Sequence, residues 1–137
     1  MPANHIVTVV IVVMVVSGCA STRYNHDSIL FYGPNAERLK LVATEVDLSH
    51  TKSITSSPSC PSYAAVGGAT VVCEKDINHT DLWLREVLVH EDCHHKQIHY
   101  GWPLNEQMCI DRASREVDKK MMIGVTGAVL ILIGITR

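Results

Sequence analysis

Residues 82–99 read LWLREVLVHEDCHHKQIH, a stretch that contains neither glycine nor proline. Thr80 or Asp81 can cap its start, and the Gly101-Trp102-Pro103 segment that follows is expected to end it. The stretch therefore predicts a helix from Leu82 to about His99. Its apolar run directly before the first histidine indicates that part of this helix is buried.

The same helix carries the motif H-E-x-x-H, from His90 to His94. Positions i and i+4 lie on one face of a helix, with Cβ atoms about 5–6 Å apart, so both imidazoles can bind one Zn²⁺ ion. Glu91 lies about 100° around the helix, where it can reach a metal-bound water without ligating the metal. We therefore expect His90 and His94 to be zinc ligands and Glu91 to be a general base.

A catalytic zinc site needs a third protein ligand and an open position. Glu106 is the best candidate, because it lies twelve residues after His94, beyond a Gly-Trp-Pro turn. Asn105 can cap a last helix from Glu106 to Lys120. The turn allows this helix to return antiparallel and bring Glu106 back to the histidines.

The arrangement resembles the gluzincin group of zinc metallopeptidases. In that group the second helix provides a Glu, and here Glu106 opens the pattern Glu-x-x-Cys-x-Asp, with Cys109 and Asp111. The resemblance implies an α+β fold in the form of a small zincin-like domain. It also implies a strand upstream of the active-site helix, and an extended peptide substrate that lies along the edge of this strand. Gly68–Cys73 is expected to supply that strand. The resemblance also implies that Asp111 orients one of the histidines.

Five cysteines divide into one near the start and four in the middle of the chain. The four cysteines in the middle are an even number, which in an exported chain indicates two disulfides. Four cysteines allow three pairings. Proximity in the sequence favours Cys60 with Cys73 and Cys93 with Cys109. Metal ligation by these thiols is disfavoured, because the chain lacks a C-x-x-C spacing.

Both ends of the chain are apolar. Residues 6–16 form an almost unbroken apolar run, and Val16-Ser17-Gly18-Cys19 resembles the lipobox of bacterial lipoproteins. This resemblance implies a signal peptide over 1–18, a lipid on Cys19 and an outer-membrane location facing the periplasm. The alternatives are an uncleaved membrane anchor and a buried strand. Residues 121–137 form a hydrophobic segment, either a marginal membrane span or a core element.

Between these ends, 19–34 is interpreted as a linker and 35–120 as the metallopeptidase domain. Within the domain we expect a helix over Asn35–Leu48, a loop over Ser49–Ser62 and a strand over Ala69–Cys73.

Several other side chains near the motif have alternative roles. His95 and His99 are also spaced i, i+4 and form either a second metal pair or, by preference, a solvated face. His79 is expected at the surface and Trp83 in the core, while Tyr100 is a weaker candidate for an oxyanion donor.

Together these observations predict a zinc-dependent peptidase of the cell envelope that acts on a peptide or protein. The alternatives are a non-enzymatic metal-binding lipoprotein with a structural zinc, and a small toxin-like or phage-derived membrane protein. The formal net charge of -2 gives no electrostatic basis for nucleic-acid binding.

Overall fold

A computed structural model describes residues 23–118 of the chain. Arg23–Val117 form one compact unit. The predicted signal peptide over 1–18, the lipid site at Cys19 and the hydrophobic segment over 121–137 lie outside the described residues. Within residues 23–118, no helix has the length and apolar composition needed to cross a membrane.

The centre of this unit is a four-stranded mixed sheet. Its strands are β1 (Leu30–Phe31), β2 (Ser53–Ser57), β3 (Tyr63–Ala65) and β4 (Ala69–Cys73), in the spatial order β1-β2-β4-β3. β1 pairs in parallel with β2, β2 pairs in parallel with β4, and β3 pairs antiparallel with β4. The sheet together with its helices confirms the α+β class.

Four helices accompany the sheet. They are α1 (Ala36–Ala43), α2 (Glu74–Ile77), α3 (Asp81–His99) and α4, which is helical over 106–118. The Thr80 hydroxyl caps α3 by accepting from the Trp83 amide at 3.2 Å, and α3 ends just before Gly101, whose φ is +65°. The predicted α3 is therefore confirmed to within one residue at its start.

The predictions for residues 35–48, for 49–62 and for the linker differ more from the structure, whereas α4 begins at Glu106 as predicted. α1 ends at Ala43, five residues before the expected end at Leu48, and the Thr44 hydroxyl donates to the Leu41 carbonyl just beyond it. The expected loop over 49–62 contains β2, because Ile54 is fully buried and the polar residues around it pair with strands on both sides. β1 lies within the segment interpreted as a linker.

The strand predicted to carry the substrate is also corrected. β4 forms as expected over Ala69–Cys73, but it lies in the interior of the sheet between β2 and β3. The strand at the edge beside β4 is β3, and β1 forms the opposite edge. β3 is joined to β4 by a short turn in which Gly67 and Gly68 both have positive φ. Tyr63–Ala65, rather than Gly68–Cys73, is therefore the strand at this edge of the sheet.

The core lies between the sheet and helices α1 and α3. α3 packs against α1, β3 and β4, and α1 packs against β1 and β2. The side chains that are fully buried in this core are Leu39, Ala43, Ile54, Val72, Leu84, Leu88 and Val89. The apolar run before His90 therefore fixes the rotation of α3 about its own axis.

Two leucines of α1 provide a matched test of this core. Leu39 is fully buried, whereas Leu41, two residues along the same helix, is 62% exposed. We expect Leu39→Ala to lower the free energy of unfolding by about 2–5 kcal/mol, because it leaves a cavity. Leu41→Ala should change it by less than about 0.5 kcal/mol. Urea denaturation measures both, and equal losses would contradict the described packing.

Candidate metal centre

Three side chains predicted to bind metal meet at one point. The His90 and His94 Nε2 atoms lie 3.2 Å apart, and each also contacts the Glu106 carboxylate, at 3.1 Å and 3.0 Å. Two ligand atoms bound to one tetrahedral ion at about 2.0–2.1 Å are separated by about 3.3–3.4 Å. His90, His94 and Glu106 could therefore hold one metal ion, and no other such group occurs among residues 23–118.

Two helices supply this group. α3 presents the histidines from successive turns of one face, and α4 presents Glu106 from its first residue. The histidine side chains are only 21% and 10% exposed, while that of Glu106 is 74% exposed. Three protein ligands with one open side correspond to a site that leaves a coordination position free for water or substrate.

The environment favours the neutral form of His90. Burial lowers its pKa, and the neighbouring His94 lowers it further, while the charge of Glu106 and its hydrogen bond act in the opposite direction. A neutral imidazole is the form that binds a metal ion. The site therefore presents this ligand in a suitable protonation state.

Glu91 lies beside the group and is itself buried, with only 6% of its surface exposed. Burial raises the pKa of Glu91 from its ordinary 4.5 to about 7, and the charge of Glu106 adds to this, although a hydrogen bond from the backbone of Ala64 lowers the pKa. A carboxyl group with a pKa near neutrality can both take and return a proton.

Both disulfides are formed with the pairing that proximity favoured. Cys60 pairs with Cys73, which joins the segment before β3 to the end of β4. Cys93 pairs with Cys109, which joins α3 to α4. The Cys109 sulfur lies 3.6 Å from His94 Nδ1, so the second disulfide is directly behind the face that carries the two histidines.

Asp111, which was expected to orient a histidine, is exposed and accepts from the Gln107 amide at 2.9 Å. Besides the Cys109 sulfur, the side chain that contacts His94 Nδ1 is that of Gln97, whose Oε1 lies 3.0 Å away. Sequence reasoning missed Gln97. The available signal was its position three residues after His94 on the same helix, where side chains are neighbours.

The charged Asp92 inside the motif holds α3 from its other side. It is fully buried and accepts from the Thr51 hydroxyl at 2.7 Å, the His50 amide at 3.0 Å and the Arg112 guanidinium at 3.4 Å. Its charge is thus compensated by partners from two other segments of the chain. This network fixes α3 to the turn before β2 and to α4.

Two expectations for neighbouring side chains are corrected. His95 is not on a solvated face: it is buried, its Nε2 lies 3.0 Å from the Thr70 hydroxyl, and burial lowers its pKa. Trp83 is not in the core but 43% exposed, and its indole N–H donates to Asp76.

The remaining candidates lie at the ends of α3. His79 is exposed, as expected. The Tyr100 ring stacks on Trp102 at a centroid distance of 5.1 Å and also contacts His99. These contacts assign no chemical role to Tyr100.

Two cavities adjoin the three-residue group, and His90 and Glu91 line both. The first has a volume of about 320 Å³ and lies between α3 and α4, with apolar walls from Trp83, Val87, Ile110 and Ala113. The second, of about 490 Å³, is lined by the edge strand β3 together with His94, Ile98, Leu104 and Glu106. A ligand bound at the centre can therefore extend to either side.

Comparisons with protein-family models, with curated proteins and with solved structures find no match to this chain. The chemistry of the site therefore has to be inferred from its own geometry.

The burial of Glu91 has a consequence for stability in metal-free protein. Its raised pKa means that the folded state holds a proton that the unfolded chain loses above pH 4.5. The contribution of Glu91 to the free energy of unfolding is therefore lost as the pH rises from about 5 to above 7. We expect Glu91→Gln to become more stable than wild type over this range, by about 1–2 kcal/mol after allowing for solvent screening.

Urea denaturation at several pH values, in the presence of a chelator, measures this difference. His90 and His95 have lowered pKa values, so they change stability with pH in the opposite direction to Glu91. Comparing the variant with wild type removes their contributions, because both proteins contain these histidines. A difference that does not change between pH 5 and pH 8 would show that Glu91 keeps an ordinary pKa.

Proposed function

We propose that this chain is a zinc-dependent peptidase of the cell envelope. The observation that carries the proposal is that the His90 and His94 Nε2 atoms lie 3.2 Å apart and each lies 3.0–3.1 Å from one oxygen of Glu106, beside the buried Glu91. A buried carboxyl group next to an open three-ligand site is the combination that metal-assisted hydrolysis requires.

The donor set supports zinc as the ion. Two imidazoles and one carboxylate are typical of catalytic zinc sites, whereas Ca²⁺ and Mg²⁺ prefer oxygen ligands. A fourth protein ligand would be typical of a structural zinc, and the group contains three residues. This favours a catalytic site over the alternative of a non-enzymatic metal-binding lipoprotein.

When bound, zinc would supply a Lewis acid that polarises water and the scissile carbonyl. Glu91 would take a proton from the attacking water and later deliver it to the leaving amine. The backbone of Ala64 supports this role, because its hydrogen bond holds the Glu91 carboxylate in place against the edge strand. We include in this proposal that the domain is zincin-like and is similar to the gluzincins.

The substrate is proposed to be a peptide in extended conformation along β3. Tyr63 and Ala64 line the larger cavity together with the ligands His94 and Glu106. An exposed edge strand can pair with an added strand through main-chain hydrogen bonds. A peptide on this edge would pass beside Glu91. One side chain of the peptide could then enter the cavity between α3 and α4.

The envelope location is supported by the two disulfides, since such bonds persist mainly in oxidising compartments. Export by a lipobox signal, a lipid on Cys19 and an outer-membrane location remain predictions from the sequence. Membrane association through the lipid and through residues 121–137 is part of the proposal, and nucleic acid is not among the proposed partners.

Glu91→Gln tests the proposal. The amide keeps the size of the side chain but cannot take a proton, so the variant should bind one zinc per chain and hydrolyse peptides about 10²–10⁴-fold more slowly. Zinc content is measured by mass spectrometry, and hydrolysis with a library of fluorescence-quenched peptides. His90→Ala should lose the zinc and the activity together.

Glu37→Gln is the matched control, because Glu37 is exposed on α1 and is not part of the metal-binding group. It should leave zinc content and hydrolysis unchanged. Wild-type protein that binds zinc but cleaves no peptide in the library would favour the structural-zinc alternative. Wild-type protein that binds no zinc would refute both.

A further inference from the structure

We propose that Gln97 is the positioning residue of the metal centre, and that its side-chain amide couples the orientation of His94 to the placement of Glu106. The inference rests on the proposed metal site. It adds a residue from outside the H-E-x-x-H motif, whose role is to hold the side chain of His94 and the backbone next to Glu106 in fixed positions relative to each other.

The Gln97 amide uses its full hydrogen-bonding capacity. Its oxygen accepts from His94 Nδ1 at 3.0 Å and from the Asn105 backbone amide at 3.3 Å. Its nitrogen donates to the Asn105 carbonyl at 3.2 Å and to the Met108 sulfur at 3.3 Å. A glutamine amide offers two acceptor sites and two donors, so all four are occupied.

On one side, this amide selects the tautomer of His94. Because the Gln97 oxygen accepts, His94 Nδ1 must carry the proton, and the lone pair of the neutral ring is then on Nε2. Nε2 is the atom that faces His90 and Glu106. The contact therefore prepares the correct nitrogen for the metal before the metal arrives.

On the other side, the amide fixes the start of α4. Gln97 binds both the N–H and the C=O of Asn105, and the Asn105 side chain caps α4 by accepting from the Met108 amide at 3.0 Å. Glu106 is the next residue along the chain. Because its side chain is 74% exposed, little packing restrains it, and its position depends on this backbone anchor.

Burial distinguishes this arrangement from an ordinary surface contact. Gln97 is 1% exposed, so its own amide has no access to water and depends on these protein partners for its hydrogen bonds. Asp92 is buried to the same extent, but its partners are His50, Thr51 and Arg112, none of which is a ligand. Gln97 is thus placed to affect the metal geometry, and Asp92 to affect stability.

Gln97→Met tests the proposal, because methionine has a similar shape and lacks the amide. We expect zinc affinity, measured by competition with a chromophoric chelator, to fall about 10–100-fold. In metal-free protein, long-range proton–nitrogen NMR should show His94 protonated on Nδ1 in the wild type, and a mixture of tautomers in the variant. A role in stability alone would change neither readout in folded protein.

Gln107→Met is the matched control, since Gln107 is exposed on α4 and its amide contacts only Asp111 among the described residues. It should keep wild-type affinity and the wild-type tautomer. If Gln97→Met does not fold, Gln97→Glu replaces it. Glutamate still accepts from His94 but cannot donate to Asn105, so the tautomer should persist while zinc affinity falls.

Two results would overturn the proposal. One is a wild-type His94 that is protonated mainly on Nε2, a measurement that needs no variant and no metal. The other is wild-type zinc affinity in folded Gln97→Met or Gln97→Glu. Neither readout involves hydrolysis, so a failure of the peptidase proposal remains distinguishable from a failure of this one.

Discussion

The rotation of α3 about its own axis is the constraint on which the rest of the structure depends. A helix has 3.6 residues per turn, so burying Leu84 and Leu88 against the sheet also determines where every other side chain of α3 points. His90 and His94 then face the start of α4, and Glu91 faces β3. A small core thus positions an open polar site.

The second requirement is that α4 return to α3 in a defined register. Three kinds of interaction secure this return: the Cys93–Cys109 disulfide, the Asp92–Arg112 contact and the amide of Gln97. Cys93 and Gln97 lie on one face of α3, spaced i, i+4, and Asp92 lies about 100° around the helix from Cys93, so α4 is held to α3 at several points. A domain of this size has limited apolar area to bury, and a covalent link between its site-bearing helices offsets that limit.

The sequence predicted the elements whose signals are local. The cap at Thr80, the glycine after α3 and the spacing of His90 and His94 are all encoded within about twenty residues, and the structure confirms each. The strands were harder to predict, because β2 contains one apolar residue, Ile54, among serines and threonines. Its strand state depends on pairing with β1 and β4, which are distant in the chain or weakly patterned themselves.

The sequence alone therefore determined which residues can bind a metal, since imidazole and carboxylate chemistry and helical spacing are local properties. Only the tertiary structure decided which residues hold those side chains in place. It put Gln97 rather than Asp111 against His94, made β3 rather than β4 the sheet edge and buried His95 against β4. The reason is physical: partners of a buried polar group are selected by the packing of elements against one another, and that packing depends on contacts between distant parts of the chain.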